Sequence, residues 1–255
     1  MIRCLLFFIL TFSVGRLFAQ KEETTDFYSQ IRNYDISAVI AADSILTEDG
    51  EDNRSRVRRP EILGFIGDYY QRFRIRFISV IKNPANPYEY LVYGKTMVKQ
   101  NVCDFQGKLL VVESRVCKEC EVPSIRQGFA VFDVTLYEDQ KQPSTGAIKG
   151  RLRSDFIVDD SGKLRYDALM FVADGFYNNQ FTGSWTSYKT KTVKKCNWGD
   201  YRIPDSGDLD IGTAEFAPAR EYYGNGWSSY LDEVMHSDSS AKMRKAENNE
   251  WWKAN

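Results

Sequence analysis

The chain of 255 residues holds a single histidine, His236, and that scarcity removes several chemistries at once. A histidine-rich metal site is excluded, because such sites draw on two or three imidazoles. A Ser-His-Asp triad would have to be built on His236, and no G-x-S-x-G is present. His236 ends an amphipathic helical pattern, where a cation complements the helix dipole. Charge excess is also lacking: 34 Lys and Arg balance 35 Asp and Glu, which leaves no electrostatic footprint for nucleic acid. Beyond the N-terminal stretch no apolar run approaches the roughly 20 residues of a membrane-spanning helix, so no transmembrane segment is expected in the mature chain. Nothing in the sequence calls for a cofactor, a metal or a catalytic constellation.

An export pattern is present. Met1-Ile2-Arg3 gives a basic head, Cys4 to Val14 is almost wholly apolar, and Gly15-Arg16-Leu17-Phe18-Ala19 leads to a polar stretch from Gln20. That order predicts a secretory signal peptide over 1–19, cut after Ala19, with a buried N-terminal helix as the alternative. It places the mature protein in the periplasm, at the cell surface or in the medium. Aromatics at 14% and charged residues at 27% describe a folding chain, not a disordered one.

Cleavage leaves Cys103, Cys117, Cys120 and Cys196, an even set that reads first as disulfides in an exported chain. Residues 104–116 read as strand, which would hold Cys103 and Cys117 about 40 Å apart, against the roughly 7 Å that a disulfide allows between Cα atoms. The expected set is Cys117–Cys120 with Cys103–Cys196. Two other readings of Cys117-Lys118-Glu119-Cys120 compete, half a zinc site and a redox motif. The first lacks a second C-x-x-C and the second lacks a following helix.

Five segments follow from the pattern. After 1–19, residues 20–61 form an N-terminal helical or extended segment and linker. Phe27, Ile31, Tyr34, Ala38, Ala41 and Ile45 recur at helical spacing, and Glu48 to Pro60 reads as a charged loop. Residues 62–204 carry about eight tandem strands. In the first long one, Tyr69, Phe73, Ile75 and Phe77 share one face and Arg72, Arg74 and Arg76 the other, which predicts one buried and one wet face. Asp159-Asp160-Ser161-Gly162 predicts a hairpin joining Ala147–Val158 to Leu164–Ala173. Short turns between strands of similar length predict an all-β antiparallel meander, more readily a closed barrel than a sandwich. Residues 205–238 combine an acidic loop with an amphipathic helix on Trp227, Tyr230, Leu231, Val234 and Met235, and 239–255 is a tail.

This order resembles the calycins, the lipocalin and avidin-like barrels, which open on a glycine, any residue and an aromatic. Gly67-Asp68-Tyr69 has that form, and Gly183-Ser184-Trp185 repeats it. The resemblance implies an eight-stranded barrel, flanked by helical segments, that takes a small apolar ligand. The runs Pro60 to Gly67 and Asn197 to Pro204 also look like blocks of exported proteins of gut Bacteroidetes, which implies export and no particular activity.

The remaining residues frame three functions. Phe73, Phe77, Tyr90 and Trp185 are candidates to line a small apolar or amphipathic ligand, since an eight-stranded barrel is just wide enough to hold one. Without a cavity, the chain would act as a cell-envelope interaction module, with Tyr222, Tyr223, Trp227 and Trp251 as a possible aromatic patch, although buried packing suits them better. A hydrolase would draw its carboxylates from Asp133, Asp155, Asp167 or Asp174, of which Asp133 and Asp167 are expected to face inward beside Val131 and Leu169. Asp205 to Gly212 resembles a calcium loop only superficially. Twelve positions into an EF-hand frame from Asp208 stands Ala219, so a solvated acidic loop is expected.

Overall fold

The computed structural model describes residues 23–49, 53–120, 125–230 and 250–253. The export pattern, His236, Leu231, Val234 and Met235 of the helical pattern, and most of the tail lie outside them. Strand residues of alternating character dominate the described chain, and they close a barrel. Its wall is built from β4 (Leu63–Ile66), β5 (Gln71–Lys82), β6 (Glu89–Val98), β7 (Asn101–Cys117), β8 (Arg126–Glu138), β9 (Gly146–Val158), β11 (Asn178–Ser187) and β12 (Val193–Asp200). Each strand runs antiparallel to the next, and a short β1 (Thr24–Asp26) pairs with the end of β7. β12 returns to β4, with Cys196 opposite Ile66 and Gly199 opposite Leu63, so the last wall strand meets the first. The molecule is therefore an all-β, calycin-like closed barrel of eight antiparallel strands. Closure leaves no long exposed strand edge.

Period-two alternation fills the interior. Phe73, Ile75 and Phe77 of β5 meet Phe105 of β7, Phe132 of β8, Phe181 of β11 and Trp198 of β12, all buried. Phe181 stacks on Trp198 at 3.5 Å between ring centroids, and Phe73 lies 5.9 Å from the same indole. Gly94 shows why a small residue interrupts β6. A Cβ there would stand 2.5 Å from the Phe105 ring and 2.1 Å from the Arg76 carbonyl, so only glycine lets that ring cross the strand.

Several expectations change. The charged run before Pro60 is not a loop: β2 (Ser44–Asp49) and β3 (Asn53–Arg58) pair as a two-stranded ribbon. Its polar residues satisfy one another, as in the 2.8 Å contact between the Thr47 and Ser55 hydroxyls. The strand after Asp159-Asp160-Ser161-Gly162 is short, β10 (Leu164–Tyr166). Asn178 is the reason. Its side-chain amide accepts from Asp155 N at 2.8 Å and donates to Asp155 O at 2.9 Å, and from Gln180 onward β11 takes over the pairing with β9.

The outer face of β5 is not wet at Arg72 and Arg74, because other segments cover it there. Arg72 and Arg74 are buried. Arg72 lies over the rings of Trp227 and Tyr230, and Arg74 pairs with Glu61. Trp251 packs there too and donates to Glu61 Oε1 at 2.6 Å. The acidic loop is likewise packed: Asp210 pairs with Arg202 at 2.7 Å, and Leu209 and Phe216 join Leu63, Phe65, Ile203 and Trp227 in a second core outside the barrel. Trp227 and Trp251 are thus packing residues, buried in the wall covering.

Tyr69 is 81% exposed, in the turn between β4 and β5, where Gly67 takes φ +75°. Gly67-Asp68-Tyr69 therefore serves the turn and does not open a strand.

Candidate functional site at the barrel mouth

The two ends of the barrel differ. One is plugged by the N-terminal segment, in which Phe27, Ile31, Ile36, Val39 and Ile40 are buried around two short helices, α1 (Tyr28–Ile31) and α2 (Ser37–Ala41). Tyr90 reaches down to this plug: its hydroxyl accepts from Ile36 N at 3.1 Å and donates to Tyr34 O at 3.4 Å. A buried polar group anchors it to the wall. Arg59 pairs with Asp200 at 2.6 Å and donates to Ile40 O. Asn179 donates to Asp200 at 2.7 Å and to Val39 O at 3.0 Å, and the Tyr166 hydroxyl donates to Asp200 at 3.1 Å. Burial works against the Arg59 charge, but Asp200 and then Tyr166 outweigh it and hold the guanidinium pKa above its ordinary value.

The opposite end is open. There a cavity of about 450 Å³ is floored by Phe73 and Ile66, walled by Trp185, Val98, Thr96, Cys103 and Glu138, and rimmed by Lys99, Lys194 and Asn225. Glu138 ends β8, the fifth inward residue in the series Ala130, Phe132, Val134, Leu136, Glu138. The turn that follows folds Gly146 N back onto Glu138 Oε2 at 2.8 Å. Trp185 Nε1 donates to the same oxygen at 2.8 Å, and Thr96 Oγ1 meets Oε1 at 2.5 Å. Gly146 permits this approach, since a Cβ there would lie 2.8 Å from Trp185 Nε1.

Of the four candidate lining residues, the structure brings Phe73 and Trp185 to the mouth. Phe77 and Tyr90 are deeper. Phe77 packs edge-on against Phe105 at 5.6 Å, and Tyr90 against Phe132 at 6.1 Å. They belong to the filled interior and the plug. Glu138 and Thr96 were missed by sequence reasoning. The alternation of β8 carries the signal for Glu138, because continuing its apolar face by one step lands on that carboxylate.

The cysteines divide. Cys117 and Cys120 form a disulfide with Cα atoms 5.7 Å apart. Cys103 and Cys196 do not pair; both are free, buried thiols. They point inward from β7 and β12, strands that are not neighbours in the wall, and the interior separates them. Burial first, then the Glu138 charge, pushes Cys103 up to about 11 and Cys196 well above the ordinary thiol value.

The carboxylates proposed for hydrolysis lie outside the barrel. Asp133 does not face inward: it is half-exposed and pairs with Arg151 at 2.8 Å. Asp155, Asp167 and Asp174 do border one outer depression of about 400 Å³. Asp155 is engaged by Arg153 at 2.9 Å. Asp167 accepts from Gln127 at 3.2 Å and Leu169 N at 3.1 Å, and burial raises its pKa. Among the described residues no group of three His, Cys, Asp or Glu side chains could hold a metal ion. No described helix is long and apolar enough to cross a membrane.

No family model, no curated protein and no solved structure matches this chain.

Proposed function

We propose that the protein is an exported barrel that binds one small amphipathic ligand at its mouth. The observation that carries this reading is the difference between the ends: one is plugged by residues 27–41, and the other keeps a cavity of about 450 Å³ with an aromatic floor and a few convergent polar groups. Ligand sites commonly have that size and that mixture of apolar wall and sparse polar contacts. The filled middle of the barrel limits the ligand to the mouth. Export rests on the pattern of residues 1–19, and the Cys117–Cys120 disulfide is compatible with an oxidising compartment. Native mass spectrometry of protein purified from its own host tests both parts. The expected spectrum shows a chain beginning at Gln20 with a bound small molecule that Phe73→Ala and Trp185→Ala each release. A chain that repeatedly carries no small molecule would defeat the ligand reading, and a retained Met1 would defeat export.

One observation favours a second reading, a cell-envelope interaction module. Ile81, Leu91, Tyr93 and Tyr137 are exposed on the outer face of β5, β6 and β8 around a shared depression. An apolar stripe of this kind suits contact with another surface. Loss of envelope association on Leu91→Lys, with ligand binding unchanged, would favour it.

A further inference from the structure

We propose that the ligand at the mouth carries a protonated amine, for which Glu138 is the counter-ion. The inference rests on the mouth being a ligand site and adds the charge of the ligand. Among the described residues, two acidic residues are buried as whole residues, Asp200 and Glu138. Asp200 has Arg59 at 2.6 Å. Glu138 has no cationic partner among the described residues: its contacts are the Thr96 hydroxyl, the Gly146 amide and the Trp185 indole, all neutral. All three can donate, so the carboxyl group is held as an acceptor and no partner requires its proton. Taking a carboxylate out of water without an opposite charge is costly, and sites that bear that cost commonly serve binding.

The geometry leaves room for the missing partner. An ionised carboxylate offers about four acceptor positions, and three are taken, two on Oε2 and one on Oε1. The remaining position on Oε1 suits one N–H of an ammonium. Asn101 spends its amide N–H groups on Pro143 O and Cys103 Sγ, which leaves its Oδ1 as a second acceptor at the cavity wall. Phe73 and Trp185 line the same cavity and can accept an apolar body. Lys99 and Lys194 stand at the rim, and Lys194 lies over the Trp185 ring at 5.9 Å from its centroid. Neither forms an ion pair with Glu138, whose contacts stay neutral. A metal ion is a poorer occupant than an amine, because among the described residues no three His, Cys, Asp or Glu side chains gather to hold one.

The test compares three probes of equal chain length, octylamine, octan-1-ol and octanoate, by isothermal titration calorimetry on the mature protein at neutral pH. The expected result is that octylamine binds at least about tenfold more tightly than octan-1-ol, the advantage of a charge-assisted hydrogen bond over a neutral one. Octanoate is expected to bind most weakly. Glu138→Gln keeps the shape and can keep the three contacts, and it should bring octylamine to within about threefold of octan-1-ol. Equal binding of all three probes to the wild-type protein would overturn the amine proposal and leave the mouth reading standing. Binding of none would overturn both. An amine preference that survives in Glu138→Gln would also overturn it. The wild-type comparison needs no variant, so a folding defect in Glu138→Gln leaves the proposal falsifiable.

Discussion

Asp200 shows how one side chain can join separate parts of the chain. It is fully buried, and Arg59, Asn179 and Tyr166 all converge on its Oδ2. Arg59 and Asn179 in turn hold the carbonyls of Ile40 and Val39, so the carboxylate fixes the plug to the wall. Asp200→Asn would leave a buried guanidinium without its counter-charge, which typically costs about 3–5 kcal/mol. Urea unfolding should show that loss, and a change below about 1 kcal/mol would mean that the pair contributes little. Nothing in the sequence marks Asp200 as different from the other acids. It stands one step past Gly199 at the strand end, and its partners are 21 to 141 residues away in sequence. Glu138 is similar. Its inward face is legible from alternation, but its lack of a cation is visible only when all its neighbours are known.

At the scale of elements, alternation identified the strands well and their environment less well. The inward face of β5 is the one the pattern indicates, Phe73, Ile75 and Phe77. The outward arginines were misjudged because alternation tells faces apart and does not tell what lies against them. Here the covering comes from Glu61, just ahead of the strand, and from Trp227, Tyr230 and Trp251, far away in sequence. The plug depends on one tyrosine in a comparable way. Its α2 has no side-chain cap, and Tyr90 Oη accepts the amide of Ile36, the residue just before the helix. Tyr90→Phe should therefore cost about 1–3 kcal/mol, the price of an unsatisfied buried donor. Hydrogen exchange at the Ile36 amide should accelerate more than exchange in β8. An unchanged rate at Ile36 would show that this bond does not hold the plug.

For the molecule as a whole, acid should loosen the turns at both ends of the barrel. At Asp104 burial opposes ionisation, but Tyr93, Gln142 and Lys95 outweigh it and hold the pKa below the ordinary value. At Asp159 burial is likewise outweighed, by Ser161, Lys163 N and Arg165. Asp104 fastens the turn beside the mouth through Gln142, and Asp159 closes the β9–β10 turn. A carboxylate whose folded pKa is depressed contributes stability above its unfolded value, and loses it as the pH falls through the folded one. Asp167, raised by burial, has the opposite sign and loses its contribution as the pH rises through its folded value. Urea midpoints should therefore fall as the pH drops below about 4, and the double variant Asp104→Asn, Asp159→Asn should show a flatter decline. An identical slope in the variant would remove these two groups from the acid response.

Local chemistry sufficed for part of this protein. Period-two alternation and short turns determined an all-β antiparallel meander, because side-chain direction in a strand depends only on its nearest neighbours in the chain. The strand pattern between Cys103 and Cys117 likewise pointed to the pairing of Cys117 with Cys120, three residues apart. Closure of β12 onto β4 belongs to the tertiary structure, as do the free thiols of Cys103 and Cys196, the burial of Arg72 and Arg74, and the isolation of Glu138 at an open mouth. Each of these depends on which distant residues come together, and a strand pattern repeated eight times is compatible with many such arrangements until packing selects one.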